Sequence, residues 1–186
     1  MRAAAIAFIV ALPACGRIGF GTDDDAPAAT GDASVVRDAP TPMPCTATGL
    51  TCEGASAGIR ACDGTCLAFC NQGVTPTVAA ARCAAWSGAL VSVGSASELA
   101  CLTALPTNDA WLGLEQAPGS TQLDAGWTWA DGTPGSGLPW KTGEPDDNGG
   151  IEDGEEQCSL LAGGGVFLDV SCANTKPFLC ERPAAP

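Results

Sequence analysis

Apolar and polar positions divide the chain into four zones. The first is an apolar run from Ala3 to Leu12 behind Met1-Arg2. A run of about ten residues is too short to cross a bilayer as a helix and suits the apolar segment of an export signal. The second zone, Gly16 to Pro44, holds Asp23-Asp24-Asp25 and then mostly Ala, Pro, Thr, Gly and Ser. It has too few large apolar side chains to offset the entropy of ordering, which predicts a flexible acidic tether. The third, residues 45–70, carries Cys45, Cys52, Cys62, Cys66 and Cys70 and reads as a Cys-rich neck. The fourth, residues 71–183, is where regular elements are expected. There Thr75 is placed to cap a helix, with Pro76 at its first position, running through Ala79-Ala80-Ala81-Arg82-Cys83 to about Trp86 and stopping at Gly88. Leu90-Val91-Ser92-Val93 predicts a short strand. Ser95-Ala96-Ser97-Glu98 matches a capping box and opens a second short helix to about Leu105. Beyond it, short apolar runs alternate with Gly, Pro, Asp and Asn, the texture of short strands and long ordered loops.

Composition changes this picture in three ways. At 186 residues there is room for about one domain plus extras. The hydrophobic share is 46%, but much of it is Ala, and aromatics are only 5%, so the core needs other staples. Eleven Cys supply them and point to an oxidising compartment. Cys62-x-x-x-Cys66-x-x-x-Cys70 has a metal-site look, but without His disulfides are the better reading, and their pairing stays open. The formal net charge of −13 with eight scattered basic residues argues against a nucleic-acid partner. The absence of His removes the commonest general base and the usual zinc ligand, which lowers the case for an enzyme.

The end of the first zone, Leu12-Pro13-Ala14-Cys15, resembles a bacterial lipobox. The resemblance implies a signal peptide over 1–14, lipid on Cys15, a tether over 15–44, and an exported protein anchored to the bacterial cell envelope, at the outer membrane or cell surface. Two or more acyl chains give stable anchoring where one does not. An ordinary cleaved signal peptide is the alternative. Setting Cys15 aside leaves ten Cys, an even number that can all pair.

Trp111-Leu112-Gly113-Leu114, Trp127-Thr128-Trp129, Trp140 to Asp146, Glu156-Gln157-Cys158, Phe167 to Cys172 and Phe178 to Glu181 follow one another in order, and with them residues of about 66–182 resemble C-type lectin-like domains. Trp111-Leu112-Gly113-Leu114 looks like the family's WIGL strand, and Trp127-Thr128-Trp129-Ala130-Asp131-Gly132 its W-x-W-x-D-G segment. Trp140-Lys141-Thr142-Gly143-Glu144-Pro145-Asp146 is similar to W-x-x-G-E-P-N, Glu156-Gln157-Cys158 to E-x-C, and Phe167-Leu168-Asp169-Val170-Ser171-Cys172 to W-N-D-x-x-C. Phe178-Leu179-Cys180-Glu181 is the closing strand. The implied fold is α+β: two short helices, small antiparallel sheets and a long calcium-loop region, stapled by disulfides. The resemblance also implies pairing of Cys83 with Cys180 and of Cys158 with Cys172. Cys101, unusual for the family, is expected to pair with a neck cysteine, Cys70 being the first choice. Trp111, Trp127 and Trp129 are expected in the core. Trp140 borders the loop and is read as structural too, with stacking on a sugar as the alternative.

Glu144 to Glu156 holds seven of the chain's 21 acidic residues and no basic one. Such a stretch is either a solvated loop held open by repulsion or a calcium cage, since calcium takes six to eight oxygen ligands and offsets that repulsion. The resemblance places ligands at Glu144, Asp146, Glu156 and Asp169, with Asp147 serving an auxiliary ion. In sugar-binding members the ion holds vicinal hydroxyls directly, and the same four side chains hydrogen-bond them. Two positions depart from the family. Leu168 replaces an Asn ligand, removing an oxygen and a donor. Asp146 replaces the Asn of E-P-N, and an ionised Asp accepts but cannot donate. The resulting expectation is a calcium-dependent carbohydrate-binding envelope lipoprotein. The alternatives are a protein-interaction or adhesion module on the same scaffold, with a surface protein as partner, and, least favoured, an enzyme with paired carboxylates.

Overall fold

The computed structural model describes residues 45–52, 57–107 and 109–184. The expected signal peptide over 1–14, Cys15 and the expected tether to residue 44 lie outside them. The described residues carry eight strands and two helices: β1 (Ala57–Cys62), β2 (Thr65–Val74), α1 (Pro76–Ala85), β3 (Ala89–Leu90), α2 (Ala96–Thr103), β4 (Ala110–Gln116), β5 (Trp127–Trp129), β6 (Cys158–Ala162), β7 (Val166–Val170) and β8 (Lys176–Pro183). None of the described helices is long and apolar enough to cross a membrane.

Local sequence accounts for both helices. The Thr75 carbonyl accepts the Ala79 N–H at 2.9 Å, but its side chain makes no cap; Pro76 supplies the first-turn geometry instead. The buried face of α1 is Pro76, Ala79 and Cys83, a small-residue stripe that lets the helix lie close to the sheet. Its end differs from the expected glycine stop. Ser87 takes the left-handed conformation (φ 64°), with Ser87 N–H bonded to Ala84 O and Gly88 N–H to Cys83 O, the Schellman pattern. Gly88 is required for another reason: a Cβ there would lie 2.1 Å from the Glu181 carbonyl oxygen, where β3 meets β8. In α2, Ser95 Oγ accepts the Glu98 N–H, while the Glu98 carboxylate reaches one residue further back, to Gly94 N–H.

The strands join in the order β1-β2-β8-β4-β6-β7, with β3 on β8 and β5 on β4. The expected small sheets are therefore one connected network. It is antiparallel except where β4 meets β8 in parallel through Trp111 and Phe178. The segment expected as a separate neck is part of this network: β2 lies between β1 and β8. Asp63-Gly64 (φ 44° and 82°) forms the two-residue turn of the β1–β2 hairpin. The reason for its inclusion is burial on both faces. Leu67 and Phe69 join Leu102, Leu112, Trp127, Trp129 and Phe167 on one side, while Ala68 and Cys70 join Ala79, Cys83, Trp86 and Phe178 on the other.

Five disulfides cross-link the described residues: Cys45–Cys66, Cys52–Cys70, Cys62–Cys101, Cys83–Cys180 and Cys158–Cys172. Cys101 thus pairs with Cys62 and not with Cys70. The cause is the face each residue occupies: Cys62 packs with Leu102 and Leu105 beside α2, whereas Cys70 points to the opposite face with Cys52.

Candidate cation site

The acidic loop leaves the sheet after Trp140 and returns at Cys158. Both ends are fixed. Trp140 bridges to Phe167, and Lys141 N–H donates to Phe167 O at 2.9 Å. At the other end β6 pairs with β7 from Cys158↔Val170 onward, and Cys158 is bonded to Cys172. This is why Glu144 and Asp146 arrive beside Asp169, two residues past Phe167 on β7. Trp140 packs its ring against Trp127 (4.9 Å between centroids) and edge-on to Phe167 (6.2 Å), so its face is engaged in the core margin. Trp111, Trp127 and Trp129 are buried in the core.

Glu144, Asp146 and Asp169 each offer a carboxylate oxygen, and these oxygens all lie within 4.8 Å of one another. Asp169 is buried and accepts Asp146 N–H (3.0 Å) and Asp147 N–H (2.8 Å). The Glu144–Pro145 peptide is cis. Partial burial pushes the Glu144 carboxyl up to about 7; a hydrogen bond to Asp169 and the charges of Asp169 and Asp146 push the same way, with Lys141 opposing. The three carboxylates therefore resist being charged together unless a proton or a cation lies among them.

The other two expected ligands sit differently. Asp147 is buried, and its carboxylate accepts the backbone N–H groups of Asp153, Gly154 and Glu156. Burial alone would raise its pKa, but those three donors bring it below the ordinary value. Asp147 thus folds the loop around itself (φ 46°). Glu156 is half-buried and outside the three-carboxylate group, though within electrostatic reach. Burial raises its carboxyl, and the charges of Asp169, Asp146 and Asp147 add to this, while the Asn148 N–H opposes it. Leu168 is half-buried on β7 and pairs with Leu160, adding no oxygen to the group.

The three-carboxylate set fits a hard divalent cation of the calcium type: oxygen donors only, on loop and strand-edge backbone, with Glu144 and Asp146 still partly open to solvent. Sequence reading missed one participant. Gln116, at the end of β4, is 4% exposed and hydrogen-bonds Glu152 and Gln157 at the far side of the loop. The signal was parity, since Gln116 falls on the inward alternation of Leu112 and Leu114.

Comparisons with known proteins identify the family and the fold. The family model described as Lectin C-type domain matches residues 73–182. Lymphocyte antigen 75 of Mesocricetus auratus is 30% identical over 123 residues, covering 64% of this chain and 7% of its own length. The low affinity immunoglobulin epsilon Fc receptor of Mus musculus is 30% identical over 104 residues, covering 55% of this chain and 29% of its own length. The chain thus spans less than a third of the length of these relatives. Among solved structures, the cow C-type carbohydrate-recognition domain of CD23, determined in the presence of oligosaccharide, superposes with a TM-score of 0.59 at 26% identity, covering 73% of this chain and 98% of that one.

Proposed function

The chain belongs to the C-type lectin domain family, and on that premise we propose that it binds carbohydrate through a calcium ion held by Glu144, Asp146 and Asp169. Glu156, within electrostatic reach of the group, supplies a further oxygen, and Asp147 shapes the loop. One observation carries this reading: three carboxylates from two separated stretches of chain converge within 4.8 Å, against their mutual repulsion. A bound divalent cation offsets that repulsion, and its solvent-facing positions accept vicinal sugar hydroxyls. The carboxylates that hold the ion then accept hydrogen bonds from the same hydroxyls. Family members are in general binding modules rather than enzymes, and the module is read here as non-catalytic.

The test is calorimetric titration with calcium, followed by a glycan array in calcium and then in chelator. Saturable calcium binding with chelator-sensitive glycan retention supports the reading. Calcium binding without any glycan retention favours a second reading, a protein-interaction module, for which Leu168 at the edge of the site speaks. No calcium binding at millimolar concentration sinks the cation site itself.

Delivery is part of the proposal. Export and lipid attachment at Cys15 would hold the module at a bacterial cell envelope. Cys15→Ser is expected to abolish incorporation of labelled fatty acid and release the protein from membranes; unchanged incorporation refutes the anchor.

A further inference from the structure

Gln116 is the most heavily bonded side chain among the described residues, and its partners are not random. Its Nε2 lies 2.9 Å from Gln122 O, 3.3 Å from Leu123 O, 2.9 Å from Ala125 O, 3.2 Å from Ser120 Oγ and 2.9 Å from a Glu152 carboxylate oxygen. Five oxygens surround this atom and share its two hydrogens, which assigns it as the amide nitrogen, because an oxygen there would face only oxygens. The Oε1 accepts Gln157 Nε2 at 2.8 Å, and the same Gln157 amide also donates to Glu152 at 3.2 Å. The Gln116 backbone N–H donates to Gln157 O at 2.9 Å.

One buried side chain therefore grips both ends of the segment 152–157. The middle of that segment supplies the N–H groups of Asp153, Gly154 and Glu156 that hold the Asp147 carboxylate. Asp147 is in turn joined through its own N–H to Asp169. The chain of bonds runs from β4 through the loop's distal arm to the carboxylate cluster.

We propose that Gln116 is a positioning residue for the cation site: it clamps the 152–157 arm onto the 117–126 turn so that the arm, with Glu156, is already in place before any ion arrives. The inference rests on the calcium reading for its consequence but not for its structure. Part of the ordering cost of ion binding is met in advance by a neutral amide, which raises affinity without adding a ligand. An amide suits this place because it supplies donors to carbonyl and carboxylate oxygens without adding charge beside the cluster.

The experiment uses the full chain with Gln116→Leu, which keeps approximate volume and removes both donors and acceptor, and Gln157→Leu, which cuts the same link from the half-exposed side. Amide hydrogen exchange is followed by NMR in chelator, and calcium affinity by calorimetry. In the unsubstituted protein the Asp153, Gly154 and Glu156 amides are expected to be protected without calcium. In Gln116→Leu their exchange should rise at least about tenfold and the calcium dissociation constant should rise by about the same factor, the loss of about one net hydrogen bond. Stoichiometry and the exchange of β2 and β8 amides should stay unchanged, which a merely structural loss would not allow. Gln157→Leu should move the same readouts in the same direction, less far, and decides the matter if Gln116→Leu does not fold. Unprotected amides in the unsubstituted protein, or loop exchange unaltered in the variants, overturns the clamp. If no form binds calcium, the exchange data still judge the clamp while the cation reading falls on its own.

Discussion

Replacing Glu144 by Gln should change stability with opposite signs in the presence and absence of calcium. The carboxyl is raised from its ordinary 4.5 to about 7, first by burial and then by Asp169 and Asp146. A carboxyl that binds its proton more tightly folded than unfolded destabilises the fold as pH rises through that interval. The penalty is absent near pH 4 and complete by pH 8. At face value the rise is worth about 3 kcal/mol, but the side chain is largely solvated, and screening reduces this to about 0.5–1 kcal/mol. Glu144→Gln in chelator at pH 8 should therefore melt about 2–4 °C higher than the unsubstituted protein, and at the same temperature near pH 4. In calcium at about 100 times the dissociation constant, the unsubstituted protein gains about 2.7 kcal/mol; a variant weakened about 100-fold gains about 0.4 kcal/mol. The order of melting should then reverse. Scanning calorimetry at both pH values, with calcium and with chelator, reads all four conditions. A variant that melts lower in chelator at pH 8 makes Glu144 a structural residue, and equal calcium stabilisation of both proteins removes it from the ligand set.

Glu181, whose burial raises its carboxyl to about 7 while Ser92 N–H opposes this, should show the same pH direction without calcium dependence. Glu181→Gln is expected to stabilise by about 1 kcal/mol at pH 8 after allowance for solvent screening and by nothing near pH 4, checked by urea unfolding at both. Gly88→Ala places a Cβ 2.1 Å from Glu181 O; a loss of about 3 kcal/mol or more is expected, and a normal melting temperature would contradict the close approach of β3 to β8. Ser87→Gly relieves the left-handed φ of 64° and should stabilise by about 0.5–1 kcal/mol, read from the denaturation midpoint. Removing Cys62–Cys101, which closes a separation of 39 residues, should cost about 3–4 kcal/mol in urea unfolding; a loss under about 1 kcal/mol would point to a structured unfolded ensemble.

Where local chemistry decides structure, the chain was readable. Ser95-x-x-Glu98 makes its N-terminal cap, Pro76 starts α1, and the Trp-rich motifs fall on β4 and β5 as buried strands. Where structure depends on which face a residue meets, reading failed. Cys62 on β1 and Cys70 on β2 are both neck cysteines, and only their facing opposite sides of the β1–β2 hairpin assigns Cys101 to Cys62. The β1–β2 hairpin was hidden because β2 is buried on both faces, Leu67 and Phe69 on one and Cys66, Ala68 and Cys70 on the other, so it shows no apolar–polar alternation, although Asp63-Gly64 marked its turn. Glu144, Asp146 and Asp169 were legible as a group because their motifs carry them to one place. The role of Asp147 was not, since its partners are backbone N–H groups that no residue identity announces.

The arrangement of Cys45–Cys66 and Cys52–Cys70 bears on mechanical load. A pull on the chain ahead of Cys45 passes through a covalent bond into β2, an interior strand, and from there across a hydrogen-bonded ladder to β8, which Cys180 ties to α1. The β1 edge strand lies within the loop closed by Cys52–Cys70 and is shielded from peeling. Tension applied ahead of Cys45 therefore enters the sheet at an interior strand and not at its edge.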